Sequence, residues 1–78
     1  MKYVYILQSE CGGHFYVGVA EDVTARLRVH NSGKVAHTSK HLPWRLRTFI
    51  AFADQDRAFA FERYLKSASG RAFASKRF

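Results

Sequence analysis

The feature that most constrains the fold is a pair of strand-like segments on either side of a glycine turn near the N-terminus. Residues 3–7 (Tyr-Val-Tyr-Ile-Leu) and 14–19 (His-Phe-Tyr-Val-Gly-Val) are rich in β-branched and aromatic side chains, which favour strands. The intervening residues 8–13 (Gln-Ser-Glu-Cys-Gly-Gly) have the composition of a turn. This order predicts a β-hairpin.

The hairpin brings two tyrosines together. If the turn is centred on Glu10 and Cys11, Tyr5 lies directly opposite Tyr16, with their Cβ atoms about 5 Å apart on one face. Gly18 follows on that face, and its missing side chain is expected to leave a notch beside the phenols. The alternative is that the tyrosines simply pack on a half-buried sheet.

The rest of the chain predicts helices alternating with one more strand. The predicted elements are a helix over 22–30 with Asp22 as N-cap and a stop at 31–33, a basic loop over 33–44, a strand over 45–53, a helix from Asp54 or Asp56 to about Ser67, and a short helical turn within 71–78. The order β-β-α-β-α predicts an α+β fold with a three-stranded, mainly antiparallel sheet flanked by helices. The 78 residues are expected to form one domain spanning 1–78.

The first predicted helix places two basic residues on its inward side. One stripe of this helix, with i, i+3, i+4, i+7 spacing, contains Val23, Arg26, Leu27 and His30. Its two apolar residues indicate that the stripe faces the core. Arg26 is then either a structural ion-pair partner or a clamp for an anion such as phosphate. His30 is either a satisfied structural histidine or a proton-transfer group.

The second predicted helix places one carboxylate among apolar residues. Glu62 shares a stripe with Ala58, Phe61 and Leu65, where an unpaired charge is costly. It is expected to form an ion pair with Arg26 or to bind a hard cation such as Mg²⁺, which takes one or two carboxylates and keeps its waters. The two roles are compatible if substrate and metal replace the ion pair.

The charge of the chain predicts an anionic partner. The chain contains 13 Lys and Arg against 6 Asp and Glu, which gives a formal net charge of +7. Nucleic acid is the first candidate, an anionic membrane surface is the second, and a basic protein kept soluble by its charge is the third. Four basic residues are placed to grip a nucleic-acid backbone or to form a solvated face: Lys34, Lys40, Arg45 and Arg47.

Several function classes are disfavoured by what the sequence contains. Cys11 is the single cysteine, so neither an internal disulfide nor a cysteine-based zinc site is expected. No Walker A loop or Rossmann glycine pattern is present. The apolar run at the N-terminus is too short for a signal-peptide core or a membrane span, so a cytoplasmic protein without a membrane partner is expected.

Together these residues resemble the GIY-YIG nuclease superfamily. The two motifs that give the superfamily its name correspond here to Val4-Tyr5-Ile6 and Tyr16-Val17-Gly18, with Val4 in place of Gly and Val17 in place of Ile. Residues 16–34 resemble the second strand and following helix of the family, and residues 61–67 resemble the helix that bears its metal-binding glutamate. The resemblance covers essentially the whole chain, as in small standalone bacterial members.

The resemblance implies a role for each matching residue. Tyr5 and Tyr16 match the site tyrosines, one of which deprotonates the attacking water directly or through a relay. Arg26 matches the arginine that stabilises the pentavalent phosphate, and His30 matches a position that assists proton transfer or contacts phosphate. Glu62 matches the ligand of a single divalent cation, Mg²⁺ or Mn²⁺. Gly18, Lys34, Lys40 and Arg45 are expected to contact nucleic acid.

The sequence therefore predicts a divalent-metal-dependent endonuclease that hydrolyses phosphodiester bonds in DNA, with structured or damaged DNA as a candidate substrate, and it leaves RNA open. The alternative is a weakly active or inactive nucleic-acid-binding module of the same fold. A protein-interaction domain with an acidic partner is the third possibility. In several family enzymes a further polar site residue follows the metal helix, and no equivalent is evident in residues 71–78.

Overall fold

A computed structural model describes residues 1–78 and contains three strands and three helices. The strands are β1 (Lys2–Ser9), β2 (Phe15–Ala20) and β3 (Trp44–Phe52), and the helices are α1 (Val23–Asn31), α2 (Gln55–Leu65) and α3 (Ala68–Arg77). A short 3-10 turn (Ser39–His41) interrupts the loop between α1 and β3. The strands form one antiparallel sheet in the order β2-β1-β3, which confirms the predicted α+β class.

The central strand β1 supplies both faces of the sheet with core residues. Val4 and Ile6 point to one face, where they pack against Ala58 and Leu65 of α2 and against apolar side chains of α3. Tyr5 and Leu7 point to the other face, where they pack with Trp44 and with apolar residues of α1. We call these the α2–α3 face and the α1 face. The two helical stripes predicted from the sequence therefore lie on opposite sides of the sheet.

Each helix begins at a capping side chain. Asp22 accepts a hydrogen bond from the backbone N–H of Ala25 at 3.0 Å, and Asp54 accepts from Asp56 at 2.8 Å. These caps satisfy backbone N–H groups that have no partner inside the helix. The caps of α1 and α2 fall at positions that the sequence indicates. No helix of the chain is both long enough and apolar enough to cross a membrane.

The predicted register of the hairpin is wrong by two residues. Tyr5 pairs with Gly18, and Tyr16 pairs with Leu7. The turn is centred one residue further along than expected, because Gly12 and Gly13 both adopt positive φ (71° and 73°) and carry the reversal. A shift of two preserves the face of every side chain. The tyrosines are therefore diagonal neighbours on the α1 face.

The C-terminal segment forms a full helix instead of the short turn predicted within 71–78. The Ser67 hydroxyl caps α3 by accepting from the Gly70 N–H at 3.1 Å. Gly70 is buried, and a Cβ there would collide with the Tyr64 carbonyl, so only glycine lets α3 approach the end of α2. Phe73, Ala74 and Phe78 then pack on the α2–α3 face. Packing stabilises this helix despite the weak helix propensity of Gly and Ser.

Candidate active site

Three aromatic rings meet on the α1 face near the β2 edge of the sheet. The centroid of the His30 ring lies 4.6 Å from that of Tyr16 and 6.1 Å from that of Tyr5. The two tyrosine rings are 6.3 Å apart. Tyr5 is 1% exposed and His30 is 0% exposed, whereas Tyr16 is half-buried. The cluster thus has two rings in the interior and one at the surface.

His30 is hydrogen-bonded through both ring nitrogens. Its Nε2 lies 3.1 Å from the Tyr5 hydroxyl, and its Nδ1 lies 3.0 Å from Oγ1 of Thr38, which is also buried. In one tautomer Nδ1–H donates to Thr38 and Nε2 accepts the Tyr5 proton, and in the other both directions reverse. Three side chains that are distant in sequence therefore form one buried chain of hydrogen bonds.

Thr38 is a site residue that the sequence analysis missed. The Trp44 indole N–H donates to the Thr38 carbonyl at 2.8 Å, which fixes the loop against β3. Asn31, at the end of α1, donates to the Trp44 carbonyl at 2.9 Å and accepts from the Trp44 N–H at 2.7 Å. No periodic pattern surrounds Thr38. The one local signal was the single tryptophan, because a buried indole N–H needs an acceptor.

Arg26 approaches the buried pair from α1. Its side chain is half-buried, whereas Arg28 is exposed, so the helical phasing is as expected. The pKa of His30 is lowered, mainly because burial disfavours the imidazolium and further because the Arg26 charge repels it. His30 is thereby kept neutral near pH 7, so that one ring nitrogen remains a proton acceptor.

Tyr5 is held in its protonated form. Burial is the main factor that raises its pKa, and the nearby Tyr16 and Glu62 raise it further. The neighbouring Arg26 acts in the opposite direction without cancelling the effect of burial. Arg26 and Tyr16 therefore lie close to the Tyr5 hydroxyl, and the Glu62 charge acts on it most weakly of the three. The Tyr5 hydroxyl is therefore protonated and is not a phenolate.

The expected notch at Gly18 is filled. A Cβ at Gly18 would lie 2.5 Å from the Tyr5 hydroxyl oxygen and 2.6 Å from its Cζ, because the two residues are direct partners across the hairpin. Gly18 therefore makes room for the Tyr5 phenol. Its residue type is dictated by the buried tyrosine, and no open notch remains for an incoming group.

Glu62 forms an ion pair with Lys66 and not with Arg26. The Glu62 carboxylate lies 3.1 Å from Lys66 Nζ one helical turn away, and the two side chains are 21% and 51% exposed. Such pairs contribute only about 0.3–0.5 kcal/mol. A partly buried carboxylate with one weak partner fits a hard cation that keeps most of its waters. No cluster of three or more metal-ligating side chains accompanies it.

The remaining predicted contact residues are exposed basic side chains. Lys34 follows α1, Lys40 lies in the 3-10 turn and Arg45 lies on β3. Arg45 and Arg47 both donate to Oε1 of Gln8, at 3.2 and 2.9 Å. Gln8 belongs to the α2–α3 face, so this pair lies on the side of the sheet away from α1. The basic residues therefore do not form a single cluster around the tyrosines.

The site has two layers that differ in their access to solvent. Tyr16, Arg26 and Glu62 are partly exposed and can touch a bound substrate. Tyr5, His30 and Thr38 are buried behind them and act through hydrogen bonds. A guanidinium and a phenol on the α1 face suit the binding of a phosphate, and the Glu62 carboxylate on α2 suits a cation. The buried layer suits proton transfer.

Comparisons with known proteins identify the family of the chain. A family profile described as the GIY-YIG catalytic domain matches residues 1–76. The chain is 43% identical over 65 residues to a UPF0213 protein of Lacticaseibacillus paracasei, with 82% of this chain and 72% of the relative covered. It is 38% identical over 65 residues to a UPF0213 protein of Streptococcus pneumoniae, with 82% and 65% covered. The chain therefore spans about two thirds to three quarters of the length of these relatives.

A solved structure shows the same fold. The solution NMR structure of the UPF0213 protein BH0048 from Bacillus halodurans superimposes with a TM-score of 0.58 at 36% sequence identity, covering 96% of this chain and 81% of that one. The family profile spans nearly all of the sequence, and the relatives exceed 30% identity over most of it. The chain belongs to the GIY-YIG nuclease superfamily and is related to the UPF0213 proteins, a family of small GIY-YIG proteins.

Proposed function

We propose that this chain is an endonuclease that hydrolyses phosphodiester bonds in DNA with a single divalent cation held by Glu62. The observation that supports this most is the surroundings of the Tyr5 hydroxyl. His30 lies within hydrogen-bond distance of it, and Arg26, Tyr16 and Glu62 all act on its pKa. The Arg26 guanidinium, two phenols and a proton acceptor thus lie together on the α1 face, and the charge of the Glu62 carboxylate on α2 reaches the same hydroxyl.

Arg26 is assigned to the phosphate. Its guanidinium is half-buried and can donate two parallel hydrogen bonds to phosphate oxygens. Negative charge on those oxygens grows as water attacks, and a fixed cation in a partly dry site stabilises that charge. Loss of comparable charge-stabilising donors in other enzymes lowers the rate by about 10²–10³-fold.

The phenols of Tyr5 and Tyr16 are assigned different roles. Tyr16 is accessible, so it is the phenol that contacts the attacking water or the phosphate directly. Tyr5 is buried, and its raised pKa keeps the hydroxyl protonated. It passes its proton to neutral His30 only as it takes up the proton released by the attacking water, directly or through Tyr16, and Thr38 accepts a hydrogen bond from the far ring nitrogen of the imidazolium. A relay of this kind leaves no isolated phenolate in the interior.

Glu62 is assigned to the cation, which is Mg²⁺ or Mn²⁺. When bound, a divalent cation polarises a phosphate oxygen and stabilises the leaving oxygen. The Lys66 ammonium would have to leave the carboxylate, which is inexpensive because the pair is solvent-exposed. Released Lys66 remains one helical turn away and is able to contact the neighbouring phosphate.

The experiment is a cleavage assay on the purified chain with nicked, branched and single-stranded DNA in Mg²⁺ or Mn²⁺. Glu62→Gln and Arg26→Ala are each expected to lower the rate by about 10²–10³-fold. Matched controls are Glu10→Gln, an exposed carboxylate in the hairpin turn, and Arg28→Ala on the exposed side of α1. Cleavage that persists undiminished in Glu62→Gln and Arg26→Ala would show that this site does not perform it.

A comparison of Tyr16→Phe with Tyr5→Phe separates the two phenols. Loss of a directly acting phenol is expected to lower kcat by about 10²–10⁴-fold, the usual range for general acid–base groups. Tyr5→Phe is expected to lower kcat less and to change its pH dependence, because the relay to His30 is cut. If Tyr5→Phe is the more damaging substitution at every pH, Tyr5 acts directly and the assignment of Tyr16 is wrong.

A second candidate function is nucleic-acid binding without cleavage. Tyr5 and His30 are almost completely buried, and Glu62 is already paired with Lys66, so these three groups are not free to act on a substrate in this conformation. Such a module is expected to bind DNA with an affinity that falls steeply with salt and to cut nothing in any metal. Binding and cleavage measured on the same oligonucleotides distinguish the two functions.

A further inference from the structure

A groove beside the candidate active site has features that the cleavage chemistry does not use. It has a volume of about 480 Å³, which lies within the range of about 300–1,000 Å³ for small-ligand pockets. Its floor is apolar and is formed by Ile6, Val17, Leu65 and Ala74, between the hairpin and α3. Exposed aromatic and cationic side chains form its walls and rim.

We infer that this groove binds one unpaired nucleotide of the nucleic-acid substrate, with the base inside the groove and its phosphates on the cationic rim. The inference rests on the proposed function, since it names the substrate class of that same site. It follows from three observations: the charge of the rim, the aromatic walls and the side chains that the groove shares with the active site.

The charged residues that line the groove are all basic. Arg47, Lys66 and Arg71 line it, and no Asp or Glu is among the lining residues. A second depression of about 320 Å³ between β3 and the start of α1 also has aromatic walls, but Glu21 and Asp22 line it. Phosphate groups are attracted to the first groove and repelled from the second. The charge of the lining residues therefore favours the first groove over the second depression as a site for phosphate groups.

The walls of the groove suit a base. Phe15 is 54% exposed, unusually much for a large aromatic residue, and Phe78 lies in the wall as well. The Arg47 guanidinium sits over the Phe15 ring at 5.5 Å, held there by its hydrogen bond to Gln8. Aromatic rings and arginine planes are the surfaces on which single-stranded nucleic acid stacks.

The groove is continuous with the active site on two sides. Tyr16 lines the groove and also contacts the His30 ring. Lys66 lines the groove and also binds the Glu62 carboxylate. The groove lies on the α2–α3 face and meets the tyrosine cluster at Tyr16, so an occupant of the groove lies next to that phenol. A base inside a duplex is stacked and paired, so only an unpaired or flipped base can enter.

Affinity for DNA with and without an unpaired base tests the inference. The protein is titrated in EDTA, where no metal-dependent cleavage occurs, against a fully paired duplex and the same duplex with one unpaired 2-aminopurine. The unpaired site is expected to bind about 5- to 150-fold more tightly, as base–aromatic stacking implies, and to lose fluorescence as the base stacks. Replacing that nucleotide by an abasic one is expected to remove the preference.

Phe15→Ala and Phe49→Ala are a matched pair of variants. Both side chains are about half exposed (54% and 51%), but Phe49 lines the acidic depression. Phe15→Ala is expected to abolish the preference for the unpaired base, and Phe49→Ala to preserve it. Arg71→Glu, at an exposed position of α3, serves as a second groove variant with little risk to folding. Circular dichroism checks that each variant is folded.

The outcomes separate this inference from the proposed function. Binding that prefers the unpaired base, with no cleavage in any metal, supports the groove and refutes the nuclease. The groove assignment is overturned if the protein cleaves DNA but binds paired and unpaired DNA with equal affinity. It is also overturned if Phe15→Ala weakens binding to paired and to unpaired DNA by the same factor. Sedimentation velocity tests the rival occupant: a dimer that dissociates on Phe15→Ala assigns the groove to a second copy of the chain and also overturns it.

Discussion

The two faces of the sheet bury residues of different character. On the α2–α3 face the fully buried residues are Val4, Ile6, Ala58 and Leu65, which contain no polar side-chain atom. On the α1 face the buried residues include Tyr5, His30, Thr38 and Trp44, and each polar group has a hydrogen-bond partner.

Because of this difference, the two faces of the sheet have different roles in stability and in positioning side chains. Apolar burial stabilises the fold in proportion to the area removed from water and tolerates imperfect packing geometry. A buried polar network contributes little net stability, yet it becomes costly when any member loses its partner. The α2–α3 face therefore holds the domain together, while the α1 face holds a few atoms in fixed positions.

The largest expected effect on stability follows from Leu65→Ala on the apolar face. Leu65 is 2% exposed, so its truncation leaves a cavity and is expected to lower the free energy of unfolding by about 2–5 kcal/mol. Each kcal/mol lowers Tm by about 4–8 °C in a domain of this size. Thermal melting measures the change. Leu46→Ala, at a 36% exposed position, is the control and should stay within about 0.5 kcal/mol.

Gly18→Ala tests how tightly the polar face is packed. The added methyl group would overlap the Tyr5 phenol, which cannot swing away because it is buried and bonded to His30. Overpacking of this kind costs about 1–3 kcal/mol. A double-mutant cycle with Tyr5→Ala should reveal a coupling of similar size, measured by urea denaturation. Additive effects would mean that Tyr5 and Gly18 are not in contact.

Thr38→Val tests whether the network depends on a hydroxyl. The substitution keeps the shape of the side chain but leaves His30 Nδ1 without a partner, at a cost of about 1–3 kcal/mol. Thr38→Ser restores the hydroxyl and should recover most of the loss. Nitrogen NMR of the His30 ring reports the tautomer independently of any activity. Identical ring-nitrogen shifts in wild type and Thr38→Val would contradict the proposed role of Thr38.

The smallest expected effect is a dependence of stability on pH. The pKa of His30 is lowered in the folded state, so below the unfolded value of about 6.5 the unfolded chain binds more protons. Stability contributed by neutral His30 is therefore complete above that pH and is lost as the pH falls through the folded pKa. Urea midpoints between pH 7 and 5 should fall in the wild type and fall less in His30→Gln. His37→Gln, at an exposed position, is the control.

Tyr5 makes the stability of the protein depend on pH in the alkaline range. Its pKa is raised by burial, so its contribution is complete below the unfolded value of about 10 and is lost as the pH rises through the folded pKa. Ultraviolet titration of tyrosine ionisation should show one phenol that ionises last. If Tyr5→Phe leaves that late step in place, the late phenol is another tyrosine.

Local patterns in the sequence determined most of the elements and the inward side of each helix. Strand composition and the glycine turn predicted the hairpin, and Asp22 and Asp54 marked the starts of two helices. Helical spacing singled out Arg26, His30 and Glu62 and excluded Arg28. These features depend on residues within one or two turns of each other, which is the range over which backbone propensity and side-chain periodicity act.

The tertiary structure decided which atoms meet. Two glycines at positive φ moved the register, so Tyr5 faces Gly18 and closes the expected notch. Thr38 reached His30 only because Asn31 and Trp44 fold the loop back, and Glu62 did not reach Arg26 because α1 and α2 lie on opposite sides of the sheet. Contacts between distant segments depend on packing in three dimensions, and no local pattern encodes them.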